Sequence, residues 1–198
     1  MIAMGKMIYR HTYCTPDGFD DMMMSCDGEF LTGLRFINSC DRSEQDTGFG
    51  KQELPVFKET RRWLDNYFSG RQPDFTPMYR IENLTPFRKE VTDIMLSIPF
   101  GATMTYGDIA AKIAAAHGIK KMSSRAVGGA VGWNPLCIII PCHRVVGANK
   151  KLTGYGGGIE NKIALLKLEG YGFTSLSVCK LQDFPIPAGT VRRALKSQ

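Results

Sequence analysis

A cysteine followed by a histidine is the strongest chemical feature of this sequence. Cys142 and His143 stand between Pro141 and Arg144, in the run Asn134-Pro135-Leu136-Cys137-Ile138-Ile139-Ile140-Pro141-Cys142-His143-Arg144-Val145-Val146-Gly147. A free thiol titrates near ~8.5 and is mostly protonated at neutral pH; nearby positive charge or a hydrogen-bonded base raises its thiolate fraction. His143 can serve as that base, directly or through a water, if a carboxylate orients it. The plainer alternative is a buried cysteine beside a histidine satisfied in the core, and for an arbitrary Cys-His pair that is the commoner outcome. A metal site has less behind it, because no Cys-x-x-Cys spacing occurs and three histidines are scattered along the chain.

The elements that must position this pair fall into two halves. In the first, Lys6 to Tyr13 reads as a strand, and Met22 to Cys26 and Glu29 to Ile37 flank Asp27-Gly28, a dipeptide suited to a tight hairpin turn. The polar stretch Asp41 to Gly50 reads as a loop. Glu53 to Phe68 carries Val56, Phe57, Trp63, Leu64, Tyr67 and Phe68 at roughly helical spacing, and Gly70 ends that helix. Residues 71–83 hold two prolines and little periodicity, so the domain boundary is placed there. In the second half, Thr85-Pro86 sets a cap followed by proline at the first helical position. Phe87, Val91, Ile94 and Met95 make one apolar stripe, which Ile98-Pro99 stops. Thr105 to Asp108 reads as a capping box with Asp in place of Glu or Gln, opening a helix through Ala116. Ser123-Ser124 offers a cap before Arg125-Ala126-Val127-Gly128-Gly129-Ala130, and two short helices joined by a Gly-containing turn outline a helix-turn-helix. Asn161 to Glu169 is the last helix, ended by Gly170. Leu136 to Ile140 is too short to assign. The expected fold class is therefore α+β, with a small N-terminal α/β domain over 1–80, a mainly helical domain over 81–172, and an extension over 173–198 with no assigned role.

Composition narrows the class further. No apolar run approaches the ~20 residues of a membrane span, and no secretion signal is read at the start. The six cysteines show no paired framework, which favours a reducing, intracellular compartment. Residues 1–80 hold 10 Lys+Arg against 12 Asp+Glu; residues 81–198 hold 15 against 7. A basic second half can concentrate a polyanion such as DNA, although charge alone fits an ordinary solvated surface equally well.

Pro141-Cys142-His143-Arg144-Val145 resembles the active-site signature of the O6-alkylguanine-DNA alkyltransferases. Arg125 to Ala130 resembles that family's recognition helix, Asn134-Pro135 its hinge asparagine, Thr153-Gly154-Tyr155-Gly156-Gly157-Gly158 its substrate-closing loop, and Leu165 to Gly170 the segment with its catalytic glutamate. Together these cover about residues 85–172; residues 1–80 match only loosely, chiefly through Tyr67-Phe68-Ser69-Gly70. The resemblance implies a ribonuclease H-like first domain and a winged-helix-like second one. It implies single-turnover, direct-reversal repair of double-stranded DNA, with the alkyl group of O6-alkylguanine, and of O4-alkylthymine, moving irreversibly to Cys142 after the nucleotide flips out. His143 would take the thiol proton through a water and Glu169 would polarise His143. Tyr106 would act on the rotated phosphate and protonate the departing guanine. Asn134, Val145, Tyr155 and Gly156 would serve the substrate pocket. Arg125 would fill the gap in the base stack, with Thr105, Ala126, Gly128 and Gly129 beside it on the DNA. The implied protein is a monomer that binds the minor groove and uses no cofactor, no metal and no membrane. It would sit in the cytoplasm of a bacterium or the nucleus of a eukaryote.

The match has departures. Gly156 stands where the family usually carries Ser, which removes a hydroxyl donor to the guanine oxygen. The stretch from Ala111 to Ser124 implies an enlarged helix-turn-helix turn. Some members bind structural zinc in the first domain; Cys14, Cys26, Cys40 and His11 are irregularly spaced, so none is expected here. Glycine inside a helix costs about 1 kcal/mol against alanine, so Gly128-Gly129 implies either close approach to DNA or close helix packing. Two other functions compete. A DNA-binding protein of the alkyltransferase-like kind recognises alkyl lesions without chemistry, and it lacks the acceptor cysteine that Cys142 supplies here. A cysteine hydrolase using Cys142, His143 and Glu169 would turn over and need no DNA.

Overall fold

A computed structural model describes residues 7–37 and 53–172. The expected loop at 41–50, Cys40, Cys179 and the extension over 173–198 lie outside the described residues.

Three short strands, β1 (Tyr9–Tyr13), β2 (Met22–Cys26) and β3 (Leu31–Phe36), form an antiparallel meander. The turn between β2 and β3 is the expected Asp27-Gly28, with Gly28 at φ 105 and the Asp27 carboxylate accepting from the Phe30 amide at 2.8 Å. The first strand begins at Tyr9, with Met7 and Ile8 outside it, while Lys6 lies outside the described residues. Helix α1 (Pro55–Phe68) buries Phe57, Trp63, Leu64 and Tyr67 against the sheet. It starts two residues later than its periodicity suggests, because Pro55 is best placed in the first turn, where no amide donor is needed.

The far edge of β3 is not left open. Residues 78–80 pair with it through Leu31 N to Met78 O and Arg80 N to Leu31 O, both 2.9 Å. Further along, the Leu34 amide donates to Pro135 O and the Cys137 amide to Leu34 O, again at 2.9 Å. The segment leading to Cys142 is thus docked on the N-terminal sheet as a fourth, parallel partner. One hydrophobic cluster runs from Tyr13 and Phe36 through Leu64 and Met95 to Ile140 and Leu165, across the expected boundary.

The second half is helical, as its pattern implies. Helix α2 (Pro86–Leu96) is capped by Thr85, whose side chain accepts from Arg88 N. Strand β4 (Met104–Thr105) leads into α3 (Tyr106–Ala116), where Thr105 and Asp108 form both bonds of the capping box, each at 3.0 Å. Helix α4 (Ser124–Gly132) is capped by Ser123 and packs on α3. The turn between them spans residues 117–123, longer than the 3–4 residues usual for a helix-turn-helix. Strand β5 (Val145–Val146) pairs in parallel with β4, matching Met104 to Val145 and Thr105 to Val146. Helix α5 (Ile159–Leu168) closes the structure and stops at Glu169, with Gly170 at φ 76.

Candidate active site and nucleic-acid face

Backbone turns place Cys142. Ile139 N donates to Cys137 O at 2.9 Å around Ile138, whose φ is 71, which makes a γ-turn. Positive φ at a β-branched residue is strained by about 1–3 kcal/mol and persists only when its surroundings hold it. Asn134 is the holding group. Its Oδ1 accepts from Leu136 N at 3.0 Å, and its Nδ2 donates to Ile140 O at 2.8 Å. Pro141 then makes a second reversal, of the inverse γ type, with φ −81, ψ 60 and Cys142 N to Ile140 O at 2.8 Å. Cys142, His143 and Arg144 follow as one buried helical turn.

Asn134 Nδ2 also donates to Cys142 Sγ at 3.0 Å. Several effects act on that sulfur. A hydrogen bond from the Cys137 thiol lowers its pKa, burial raises it, and the Asn134 amide, the Lys162 ammonium and the Tyr155 hydroxyl lower it, leaving Cys142 at about 7. The Tyr155 hydroxyl faces both sulfurs without closing a well-aligned bond to either. Lys162 is buried, with Nζ donating to Val145 O at 2.6 Å and Thr153 O at 3.3 Å. Burial lowers it to about 8 despite the pull of Cys142.

His143 and Glu169 meet in the interior, both with fully buried side chains. His143 Nε2 lies 2.8 Å from Glu169 Oε1. Arg144 donates from Nε to Oε2 at 2.9 Å and from Nη2 to Oε1 at 2.9 Å, while its Nη1 donates to Ile98 O. Tyr67, from α1, donates its hydroxyl to Oε1 at 2.7 Å, and the Gly101 amide donates to Oε2 at 3.1 Å. That last contact requires glycine: φ is 76, and a Cβ there would lie 2.8 Å from Glu169 O. Burial pushes the Glu169 carboxyl up, but the hydrogen bonds and charges of His143 and Arg144 outweigh it and hold it at about 2. Burial pushes His143 down, against the pull of Glu169. At neutral pH the carboxylate is ionised and only accepts, so Nε2 carries the imidazole hydrogen. Nδ1 keeps its lone pair and has no protein partner among the described residues.

The second part of the site is open. A cleft of about 710 Å³ is lined by Thr105, Tyr106, Gly107, Ser124, Arg125, Gly128, Ala148, Thr153 and Gly154. It therefore gathers expected residues from α3, α4 and the closing loop. Tyr106, at the first position of α3, is set there by the β4–β5 pairing; burial raises its hydroxyl pKa, a bond with Thr153 lowers it, and Cys142 raises it. Helix α4 buries Val127, Ala130 and Val131, which turns Arg125, Ala126 and Gly129 outward. A Cβ at Gly129 would meet nothing within 4 Å, and one at Gly128 would meet only the Tyr106 ring at 3.8 Å. Close helix packing therefore does not account for the two glycines. Tyr155 rests on Phe36 of β3, 6.4 Å between ring centroids, while Gly156 is exposed. Val145 is buried, with its carbonyl engaged by Lys162. Among the described residues no group of His, Cys, Asp and Glu is placed to hold a metal.

Sequence reasoning missed Tyr67, Arg144, Lys162 and Cys137. Arg144 and Cys137 lie inside the decisive segment, and Tyr67 in the loosely matching N-terminal motif; Lys162 carried no signal.

Comparison with known proteins agrees with this geometry. Residues 86–171 match the family described as 6-O-methylguanine DNA methyltransferase, DNA binding domain. A methylated-DNA–protein-cysteine methyltransferase of Methanosarcina acetivorans is 40% identical over 149 residues, 75% of this chain and 91% of the relative. The crystal structure of Mycobacterium tuberculosis O6-methylguanine methyltransferase superposes with a TM-score of 0.68 at 35% identity, covering 86% of this chain and 98% of that one. A second structure, M. tuberculosis OGT in complex with DNA, gives a TM-score of 0.63 at 36% identity, covering 82% and 91%.

Proposed function

The chain belongs to the 6-O-methylguanine DNA methyltransferase family, and on that premise we propose that it repairs alkylated DNA by moving the alkyl group from O6 of guanine irreversibly onto its own Cys142. The observation that carries this reading is the buried imidazole–carboxylate pair of His143 and Glu169, with His143 directly following Cys142 in one helical turn. A thiol near pKa 7 stands beside a neutral imidazole whose Nδ1 is free to accept a proton, and the carboxylate behind it is fixed by five donors.

In this mechanism His143 Nδ1 takes the Cys142 proton, through one bridging water, and Glu169 stabilises the imidazolium that forms. The thiolate attacks the alkyl carbon and guanine leaves, taking a proton from Tyr106 at the cleft. The product is a thioether. Unlike an acyl-enzyme it has no easy hydrolytic exit, so each molecule acts once.

The partner is DNA. The lesion lies inside the duplex and must rotate out to reach the thiol. Arg125, on the exposed first turn of α4, fills the vacated stack, while Ala126, Gly128 and Gly129 let the helix backbone approach the minor groove. Thr105 adds a backbone contact, and Val145, Tyr155 and Gly156 line the base pocket. We read the protein as a monomer. We also read the sheet with α1 as a ribonuclease H-like layer and the α3–α4 unit with β4–β5 as winged-helix-like.

The test is stoichiometry. Duplex DNA carrying methyl-labelled O6-methylguanine should give one methyl group per protein molecule and then no further transfer. Continued turnover would favour the hydrolase reading; binding without transfer would favour the non-catalytic one.

A further inference from the structure

Alkyl transfer needs one sulfur, yet two lie together at this site. Cys137 and Cys142 are free thiols, 7% and 6% exposed. The reversals at Ile138 and Pro141 fold the chain back on itself, with Cys137 bridged to Ile140 and Ile140 N bonded to Leu136 O at 3.0 Å. As a result the two thiols lie on one reversal of the chain, close enough that each shifts the titration of the other. We propose that Cys137 and Cys142 close a reversible disulfide when the protein meets a hydroperoxide, which silences the acceptor and shields it from irreversible oxidation.

The chemistry is balanced with hydrogen peroxide as oxidant. The Cys142 thiolate attacks a peroxide oxygen; an S–O bond forms, the O–O bond breaks, and the released hydroxide takes a proton to become water. Cys142 is then a sulfenic acid, which condenses with a neighbouring thiol. The Cys137 sulfur attacks the Cys142 sulfur and the S–S bond forms. The S–O bond breaks, and the departing hydroxide leaves as water with the Cys137 proton. Two thiols and one peroxide give one disulfide and two waters. Without a partner thiol the sulfenic acid proceeds to sulfinic acid, which thiol reductants do not restore. The two groups are also unequal in the required sense. Hydrogen bonding to Cys142 and burial push the Cys137 thiol well up, so Cys142 is the one that meets the oxidant as thiolate. On the proposed function an alkyl carbon reaches Cys142, and a path wide enough for it also admits the smaller peroxide.

The experiment uses the full chain without DNA, so its mass readout is independent of the proposed repair activity. Reduced protein takes about two equivalents of hydrogen peroxide, one for the disulfide of the wild type and two for a sulfinic acid, is blocked with iodoacetamide and is cut with trypsin. Residues 126–144 hold both cysteines on one tryptic peptide. We expect that peptide unblocked and about 2 Da lighter than the reduced form, and we expect dithiothreitol to restore transfer to the untreated rate. In Cys137→Ser and Cys137→Ala the peptide should instead gain about 32 Da, with no recovery of each variant's own untreated rate. Sulfinic acid as the main wild-type product, two blocked thiols after treatment, or equal recovery in the variants would overturn the proposal.

Discussion

Around Glu169 both carboxylate oxygens are held by donors from three separate parts of the chain, whereas around Arg125 the helix face is exposed and a Cβ at Gly129 would meet nothing within 4 Å. The first region is assembled by the chain alone, which suits the proposed proton transfer, since that demands fixed geometry and a low dielectric. The second is left unfilled, which is what the proposed contact with a duplex requires. Changes at the first should therefore damage chemistry on every substrate, and changes at the second should damage only what depends on the duplex.

Glu169→Gln is the sharpest break of that comparison. Gln keeps the shape but loses the charge that holds the His143 tautomer and stabilises its protonated form. Single-turnover transfer should slow by about 10²–10⁴, the usual range for general-base help, with duplex affinity little changed. Unaltered transfer would remove Glu169 from the mechanism.

Arg125→Ala probes the other region. Transfer from a lesion inside duplex DNA should fall by about tenfold to a hundredfold, since the unstacking cost of a few kcal/mol is no longer offset. Transfer from free O6-methylguanine base should hold near its wild-type rate. Equal losses on both substrates would mean that Arg125 acts through the fold or the active site. A loss that only tracks salt would mark it as a phosphate contact.

The pH profile sharpens the first region. Cys142 lies at about 7, and the thiolate fraction grows as pH rises. The rate should climb about tenfold between pH 5 and 6 and level off above 7. Asn134→Ala removes a donor to the sulfur and should move the midpoint upward. A rate that falls as pH rises through 7 would contradict the assignment of Cys142 as nucleophile.

The smallest expected effect is at Tyr67. Tyr67→Phe removes one hydrogen bond to a charged group, worth about 1.5–3 kcal/mol, while four other donors still hold Glu169. Stability should drop by an amount in that range, read from denaturant unfolding, and transfer should slow by less than Glu169→Gln slows it.

How much was legible before the structure follows from the range of each interaction. Caps are local, so Thr85, Thr105 with Asp108, and Ser123 were all readable. The Asp27-Gly28 turn was readable for the same reason. The signature around Cys142 was readable because its residues are contiguous. Tyr67 and Glu169 meet across 102 positions, and no periodicity in α1 marks a tyrosine whose hydroxyl reaches another layer. Lys162 looks like a surface residue of an amphipathic helix, yet α5 turns it inward beside Leu165 and Leu166 to bind carbonyls. The run from Leu136 to Ile140 resisted assignment because it is neither helix nor ladder strand. It is one bridge to β3 followed by a strained reversal at Ile138.

The central claim is that one named sulfur takes the alkyl group, and locating the adduct tests it most directly. After a single turnover on O6-methylguanine duplex, fragment mass spectrometry of the peptide spanning residues 126–144 should place the added methyl on Cys142 and leave Cys137 unmodified. A methyl group found mainly on Cys137 or Cys179 would contradict it.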